Sequence, residues 1–269
     1  MNFFTKYFQL FTVFYPIQLM ALAGVIYTAT TGFALIHLLL FVLGWILLCG
    51  LGSAVGLHRY ASHKAVKLRR FMHKPLLVLA ALCGQGSPLW WATIHTGIHH
   101  PNSDKEGDSH SPIHGLWHAY HGWTYSIDPS TANRRVVRNL LRDRFNLFLH
   151  KHYTPIVWSI YALVGLISLT LFQNLDLLLW GLVIPAAWSY HQESIVNITC
   201  HINRFGYRNY DTPDNSRNNK LLALFTWGQA LHNNHHQRPG SYDFGKSVSK
   251  EPTEFDPCVI FLPLIRANT

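Results

Sequence analysis

The chain has 269 residues, of which 49% are hydrophobic and only 13% charged, with a mean hydropathy of +0.09. Soluble domains carry about a quarter charged residues, so this composition argues for a membrane protein with a polar portion attached. The formal charge of +9 does not call for nucleic acid, because the basic residues follow the membrane segments rather than forming a face of their own.

Taken in chain order, residues 10–32 and 33–56 are two uncharged apolar stretches, each long enough for a span, which needs roughly 20 predominantly apolar residues. The first is not a cleaved signal peptide: its apolar run is too long, and Lys6 is its only flanking positive charge. Residues 57–152 are polar. Within them, Leu68–Cys83 reads as an interfacial or buried helix, and Arg134–Lys151, which mixes Arg with Leu and Phe, as an amphipathic helix on the membrane surface. Residues 153–172 and 175–197 are a second apolar pair, the last carrying only Asp176 and Glu193. Residues 198–269 are polar again, with Asp211–Asn219 rich in turn formers.

The links at Thr31-Gly32 and Gln173-Asn174 are so short that each apolar pair must be a hairpin. Both hairpins then open toward one side. That side holds every Lys and Arg of the chain: thirteen in residues 57–152, eight in residues 198–269, and Lys6. The positive-inside rule places it, with both termini, in the cytoplasm. The expected fold is all-α and integral to the membrane: four transmembrane helices as two hairpins under a cytosolic helical cap, in one domain over residues 1–269. The cysteines Cys49, Cys83, Cys200 and Cys258 form no C-x-x-C pair and read as free buried thiols in a reducing compartment.

Eighteen histidines are far above ordinary usage, and they cluster. The groups are His58 with His63, then His95, His99 and His100, then Asn197 with His201, then His232, His235 and His236. A chain this rich in histidine shows about one HxxxxH pair by chance, whereas a fixed three-histidine pattern should appear far less than once. Two such patterns, each beside a membrane element, point to a shared metal site. Nine histidines exceed the needs of one tetrahedral zinc and suit two metals, without naming which. Asp104, Asp108 and Glu193 are candidates to orient the imidazoles. His37, alone on an apolar face, reads as a non-ligand. His73, His110, His114, His118, His121, His150, His152 and His191 carry no assignment, His118 and His121 being the best placed for a supporting or substrate-side role.

At these residues the chain resembles the membrane fatty acyl desaturases, especially the acyl-CoA delta-9 (stearoyl-CoA) type. The likeness includes Trp91 four residues before His95, Asn102-Ser103-Asp104, Asp108-Ser109-His110-Ser111-Pro112, His121-Gly122-Trp123, and the run from Asn197 through Gly206-Tyr207-Arg208 and Asp214–Asn219 to His236. It covers roughly residues 33–245. The resemblance implies two non-haem irons on the nine histidines, with Asn197 binding through water. It further implies O2 as co-substrate, a fatty acyl substrate, and electrons from a separate ferredoxin- or cytochrome b5-like donor. Two departures stand out: the second cluster is HxxxHH where the delta-9 enzymes have HxxHH, and Gly228-Gln229-Ala230 stands where they have Gly-Glu-Gly. The longer spacing resembles some alkane hydroxylases.

The reaction expected from this resemblance is removal of two neighbouring hydrogens from an unactivated acyl chain. Trp90, Trp91 and Trp188 are candidates to line its tunnel. Asn2 to Lys6 and the basic residues near the clusters are candidates to meet an acyl-CoA phosphate or an acyl carrier protein. Competing readings are hydroxylation or terminal-alkene formation by the same oxidant, and a metal-binding membrane protein without redox chemistry. A transporter would need polar groups through the bilayer, which the apolar segments lack.

Overall fold

The computed structural model of the chain describes residues 9–246 and 254–267, so the candidate phosphate contacts between Asn2 and Lys6 lie outside the described residues. Helix α1 (Leu10–Thr31) turns at Gly32, whose φ of +115° only glycine adopts freely, into α2 (Leu35–Ser62). His37 is part of this turn: its Nδ1 accepts the Ala34 N–H at 2.9 Å, satisfying a donor at the start of α2. Helix α3 (His73–Leu82) follows, then α4, residues 88–102, whose first turn is capped by the Ser87 hydroxyl accepting the Trp90 N–H. Helix α5 (Arg144–Lys151) leads into α6 (Tyr153–Phe172), and α7 spans residues 176–199 after a left-handed Gln173. Helix α8 (His232–Gln237) carries the last histidine cluster. Among the described residues there is no strand, only isolated bridges such as Asn218 to Tyr207 and to Leu231.

Among the described residues, three helices are long and apolar enough to cross a membrane: α1, α2 and α6. They leave large apolar side chains bare, among them Leu19, Leu35, Leu39, Leu163 and Leu171, as a lipid-facing surface would. Helix α7 begins apolar, but its second half carries His191, Gln192, Glu193, Ser194 and Asn197.

Helix α2 holds the assembly together because its glycines let neighbours approach its backbone. A Cβ on Gly44 would strike the Gly181 carbonyl of α7; one on Gly52 would lie 2.7 Å from Cys83 Sγ, and one on Gly56 3.0 Å from Ala80 Cβ of α3. Helix α3 is accordingly buried, with Leu76, Leu77, Ala80 and Ala81 inside, rather than interfacial.

Two boundaries differ from the sequence expectation. The second apolar helix does not stop at Gly56 but runs to Ser62, because residues 57 to 59 are packed inside the protein and need no exit from the helix. The amphipathic stretch is not one helix: Asp143 accepts the Phe145 and Asn146 N–H groups, starting α5 afresh and ending Arg138–Arg142. The four cysteines are free and buried.

Candidate metal centre

The histidines come from four places: the end of α2, α4, the turn after α7, and α8. The structure sorts all nine into two adjacent nests. In one, ring nitrogens of His58, His63, His95, His100 and His235 lie within 4.8 Å of one another; in the other, those of His99, His201, His232 and His236 do.

The sorting follows from helix geometry. In an α-helix, residues four apart are one turn apart and share a face. His232 and His236 therefore enter the same nest, and His235 the other. The second cluster has one residue more, and an α-helix would splay His95 and His100 by about 140°. Here His95–His99 is a π turn, with the His100 N–H bonded to the His95 carbonyl, so residues five apart share a face. His95 and His100 thus pair in one nest and His99 faces the other. The extra residue of HxxxHH is absorbed by the wider turn. His58 and His63 are also five apart at the end of π-helical Trp45–Ser62, and they pair in the same way, the His63 N–H bonding to the His58 carbonyl at 3.2 Å.

In the five-histidine nest the Nε2 atoms are linked in series: His58 to His235 at 3.0 Å, His235 to His100 at 3.2 Å, His100 to His95 at 3.1 Å and His95 to His63 at 3.0 Å. In the four-histidine nest His232 Nε2 lies 3.0 Å from both His201 Nε2 and His236 Nε2. His99 Nε2 is buried there with no hydrogen-bond partner. A buried imidazole nitrogen left unpaired beside three others aimed at the same point suits a cation.

Outside the nests the rings are held differently. His99 Nδ1 meets Asp108 at 2.8 Å, His201 Nδ1 meets Asp104 at 2.7 Å, His236 Nδ1 meets Asp214 at 2.6 Å, and His232 Nδ1 donates to the Gln229 carbonyl at 3.2 Å. Burial opposes ionisation of Asp104 and Asp214, but the imidazole bonds outweigh it and hold both carboxyls below the usual range. Burial likewise disfavours charge on His201, yet Asp104 raises its basicity on balance, as a carboxylate behind a metal-ligating imidazole does. His95, His99, His100, His232 and His235 are pushed well below the ordinary histidine range, first by burial and then by neighbouring histidines. Burial, then His236 and Arg59, brings His63 down to about 3. Neutral imidazoles are the form that binds metal.

Helix α8 has only six residues and is held by buried amides. Asn233 Oδ1 accepts the N–H groups of Asn209 and Tyr210, and Asn234 Oδ1 accepts the side-chain amides of Asn209 and Asn218. Beside the five-histidine nest, Phe244 packs 4.5 Å from the His235 ring, and the Arg59 guanidinium lies 3.8 Å from the Phe244 ring centre. Arg59 is itself buried and paired with Asp256 at 2.7 Å.

A cavity of about 40 Å³ abuts both nests, and His58, His95, His232 and Asn197 line it together with Trp90, Trp91, Ile94 and Trp123. Trp90 and Trp91 are thus among the residues that line it. Trp188 is not: it lies on α7 roughly 180° from Asn197 at ~100° per residue, and is 39% exposed. Glu193, a candidate to orient an imidazole, instead lines this cavity and binds the Ser53 hydroxyl at 2.5 Å and the Gln229 amide. His121 joins Tyr15 and Tyr190 rather than the nests, and His118 reaches the Ser109 carbonyl. His110, which had no assignment, stacks 4.1 Å from His99 and lines the cavity.

A family model described as fatty acid desaturase matches residues 8–242. The chain belongs to the fatty acid desaturase family. Its similarity to individual desaturases runs at 33% identity to the sn-1 stearoyl-lipid 9-desaturase of Anabaena variabilis, over 70% of this chain and 66% of the relative. It is 31% identical to the acyl-CoA 5-desaturase AL21 of Anemone leveillei, over 70% and 57%, and 33% identical to the delta-9 acyl-lipid desaturase 2 of Arabidopsis thaliana, over 70% and 59%. The chain thus spans less than two thirds of the length of these desaturases.

Proposed function

We propose that this chain is an O2-dependent desaturase of fatty acyl chains, with two irons held by the nine histidines and by Asn197 through water. The observation that carries the reading is the pair of nests, one of five imidazoles and one of four, opening on a single cavity. Two metals side by side suit a reaction that takes two electrons and reduces O2, and the bound irons would supply the oxidising power to break an unactivated C–H bond.

The residues of the chain do the rest. The carboxylates on His99, His201 and His236 keep those rings turned toward the centre. Trp90, Trp91 and Ile94 exclude water and offer an apolar wall against which one C–C bond is held near the nests. A cavity of about 40 Å³ holds little more than a water or two, so these side chains must swing aside when an acyl chain enters. The electrons come from a separate ferredoxin- or cytochrome b5-like protein. Helix α7 crosses the membrane with α1, α2 and α6, leaving the histidine-bearing segments and both termini in the cytoplasm.

The test is to express the chain in a host of known fatty-acid profile and analyse total lipids and volatiles by gas chromatography–mass spectrometry, beside a His235→Ala, His236→Ala variant. A new unsaturated acid, absent in the variant, is the expected result and locates the double bond. A hydroxylated product or an alkene overturns the reaction assigned here while keeping the centre.

A further inference from the structure

The two nests differ in what stands behind their rings. Every imidazole of the four-histidine nest has a hydrogen-bond acceptor on Nδ1: Asp108, Asp104, Asp214 or the Gln229 carbonyl. In the five-histidine nest His58 Nδ1 and His235 Nδ1 are buried without a hydrogen-bond partner, and the Phe244 ring packs against both imidazoles. The five-histidine nest also borders an open surface cavity of about 320 Å³ lined by His63, His100, Lys64 and Thr96. In the other nest even His236, its least buried member, has a side chain only 2% exposed.

From this we infer that the two metal positions are unequal: the four-histidine nest is the tight one and the five-histidine nest the exchangeable one, despite its extra ligand. The inference rests on the reading above that both nests hold metal. An acceptor on Nδ1 fixes the ring proton there, so Nε2 is left as a lone pair. With all four rings so fixed, the Nε2 atoms of His201, His232 and His236 oppose one another at 3.0 Å, an arrangement that a cation relieves and metal removal restores. The five-histidine nest has an alternative. With no acceptor on Nδ1 of His58 or His235 to fix the tautomer, alternate rings can carry their proton on Nε2, so that each contact in the series from His58 to His63 sets one N–H against one lone pair. Metal binding must break those contacts and leave the ring protons of His58 and His235 on Nδ1 atoms that have no acceptor. Loss of one group behind a ligand typically weakens metal binding 10–100-fold, and among the described residues three carboxylates stand behind one nest and none behind the other.

The test uses the full chain, purified in detergent, loaded anaerobically with ferrous iron and challenged with ferrozine, whose colour reports iron release. Two phases of one iron each are expected, with rates at least ten-fold apart. Asp214→Asn should speed the slow phase about ten-fold or more and leave the fast phase unchanged, and Asp214→Glu should restore it. Asp108→Asn, acting on a different ring of the same nest, should repeat the effect if Asp214→Asn fails to fold. His63→Ala should alter only the fast phase. Release of both irons in one phase, or a slow phase moved by His63→Ala instead of the aspartate variants, overturns the assignment. A chain that takes up no iron sinks the metal reading itself, and this one with it.

Discussion

Gly228 has φ +78°, and a Cβ there would strike the Asp256 carboxylate. That carboxylate is the partner of Arg59, and both side chains are 0% exposed. Asp256 also accepts the N–H groups of Phe244 and Cys258. Gly228→Ala therefore displaces the acid and leaves a buried guanidinium poorly matched, a fault that costs about 3–5 kcal/mol when a buried pair is broken. The measurement is thermal unfolding in detergent, against Gly240→Ala, which meets nothing within 4 Å and should change stability by less than about 0.5 kcal/mol. Equal stability of the two variants would contradict this account of the Arg59–Asp256 pair. At this scale the nine histidines were legible because a metal site needs many imidazoles, and clustering exposes them. Asp104 and Asp108 were legible as nearby acids. Asp214 was visible only as part of a motif, since nothing in its spacing joins it to His236 twenty-two residues on; the loop that folds back to make that bond is a tertiary fact. The partners of Glu193, Ser53 and Gln229, are likewise tertiary facts: a lone acid near a metal cluster says nothing of which neighbour it faces.

The elements show why HxxxHH and HxxHH can build the same arrangement. A π turn advances one residue more per turn than an α turn, so the face shared by His95 and His100 survives the added residue. Deleting Thr96 should let the segment close as an α turn, with the two histidines four apart and still on one face. The variant is expected to keep two irons per chain. Inserting an alanine at the same place turns the last histidines away and should lose at least one iron, measured by metal analysis of the purified protein. Loss of iron in the deletion variant would mean that the π turn does more than absorb a residue. The sequence disclosed the apolar helices well, because length and hydropathy decide them. It did not disclose the π turns, since an α-helical reading of the same residues is equally consistent with their spacing. Nor did it disclose the break at Asp143, where a local cap overrides a continuous amphipathic pattern.

On the scale of the whole molecule, the charge distribution and the expected hairpins predict one orientation. Every Lys and Arg falls outside the apolar pairs and away from the short links at Gly32 and Gln173, so the links should face the exterior and the histidine-bearing segments the cytoplasm. Helix α7 is the element on which this depends. Its polar second half makes it the least apolar of the four, and hydropathy alone does not mark it as a span. Its polar groups face inward, however: Gln192 and Ser194 are buried, and Glu193 and Asn197 line the cavity. Polar residues turned into a protein interior are tolerated in a crossing helix. The four native cysteines are all buried, so single cysteines added at the surface can be read without removing them. Asn174→Cys, beyond the end of α6, should react with a membrane-impermeant maleimide in intact cells. Lys220→Cys, whose native side chain is 67% exposed, should react only after permeabilisation. Labelling of both from outside would mean that α7 turns back without crossing, and the reverse pattern would mean that the chain is inverted. Inversion would turn the nests away from a cytoplasmic electron donor, whereas an α7 that does not cross would part His201, His232, His235 and His236 from the histidines of α2 and α4 and contradict the shared nests.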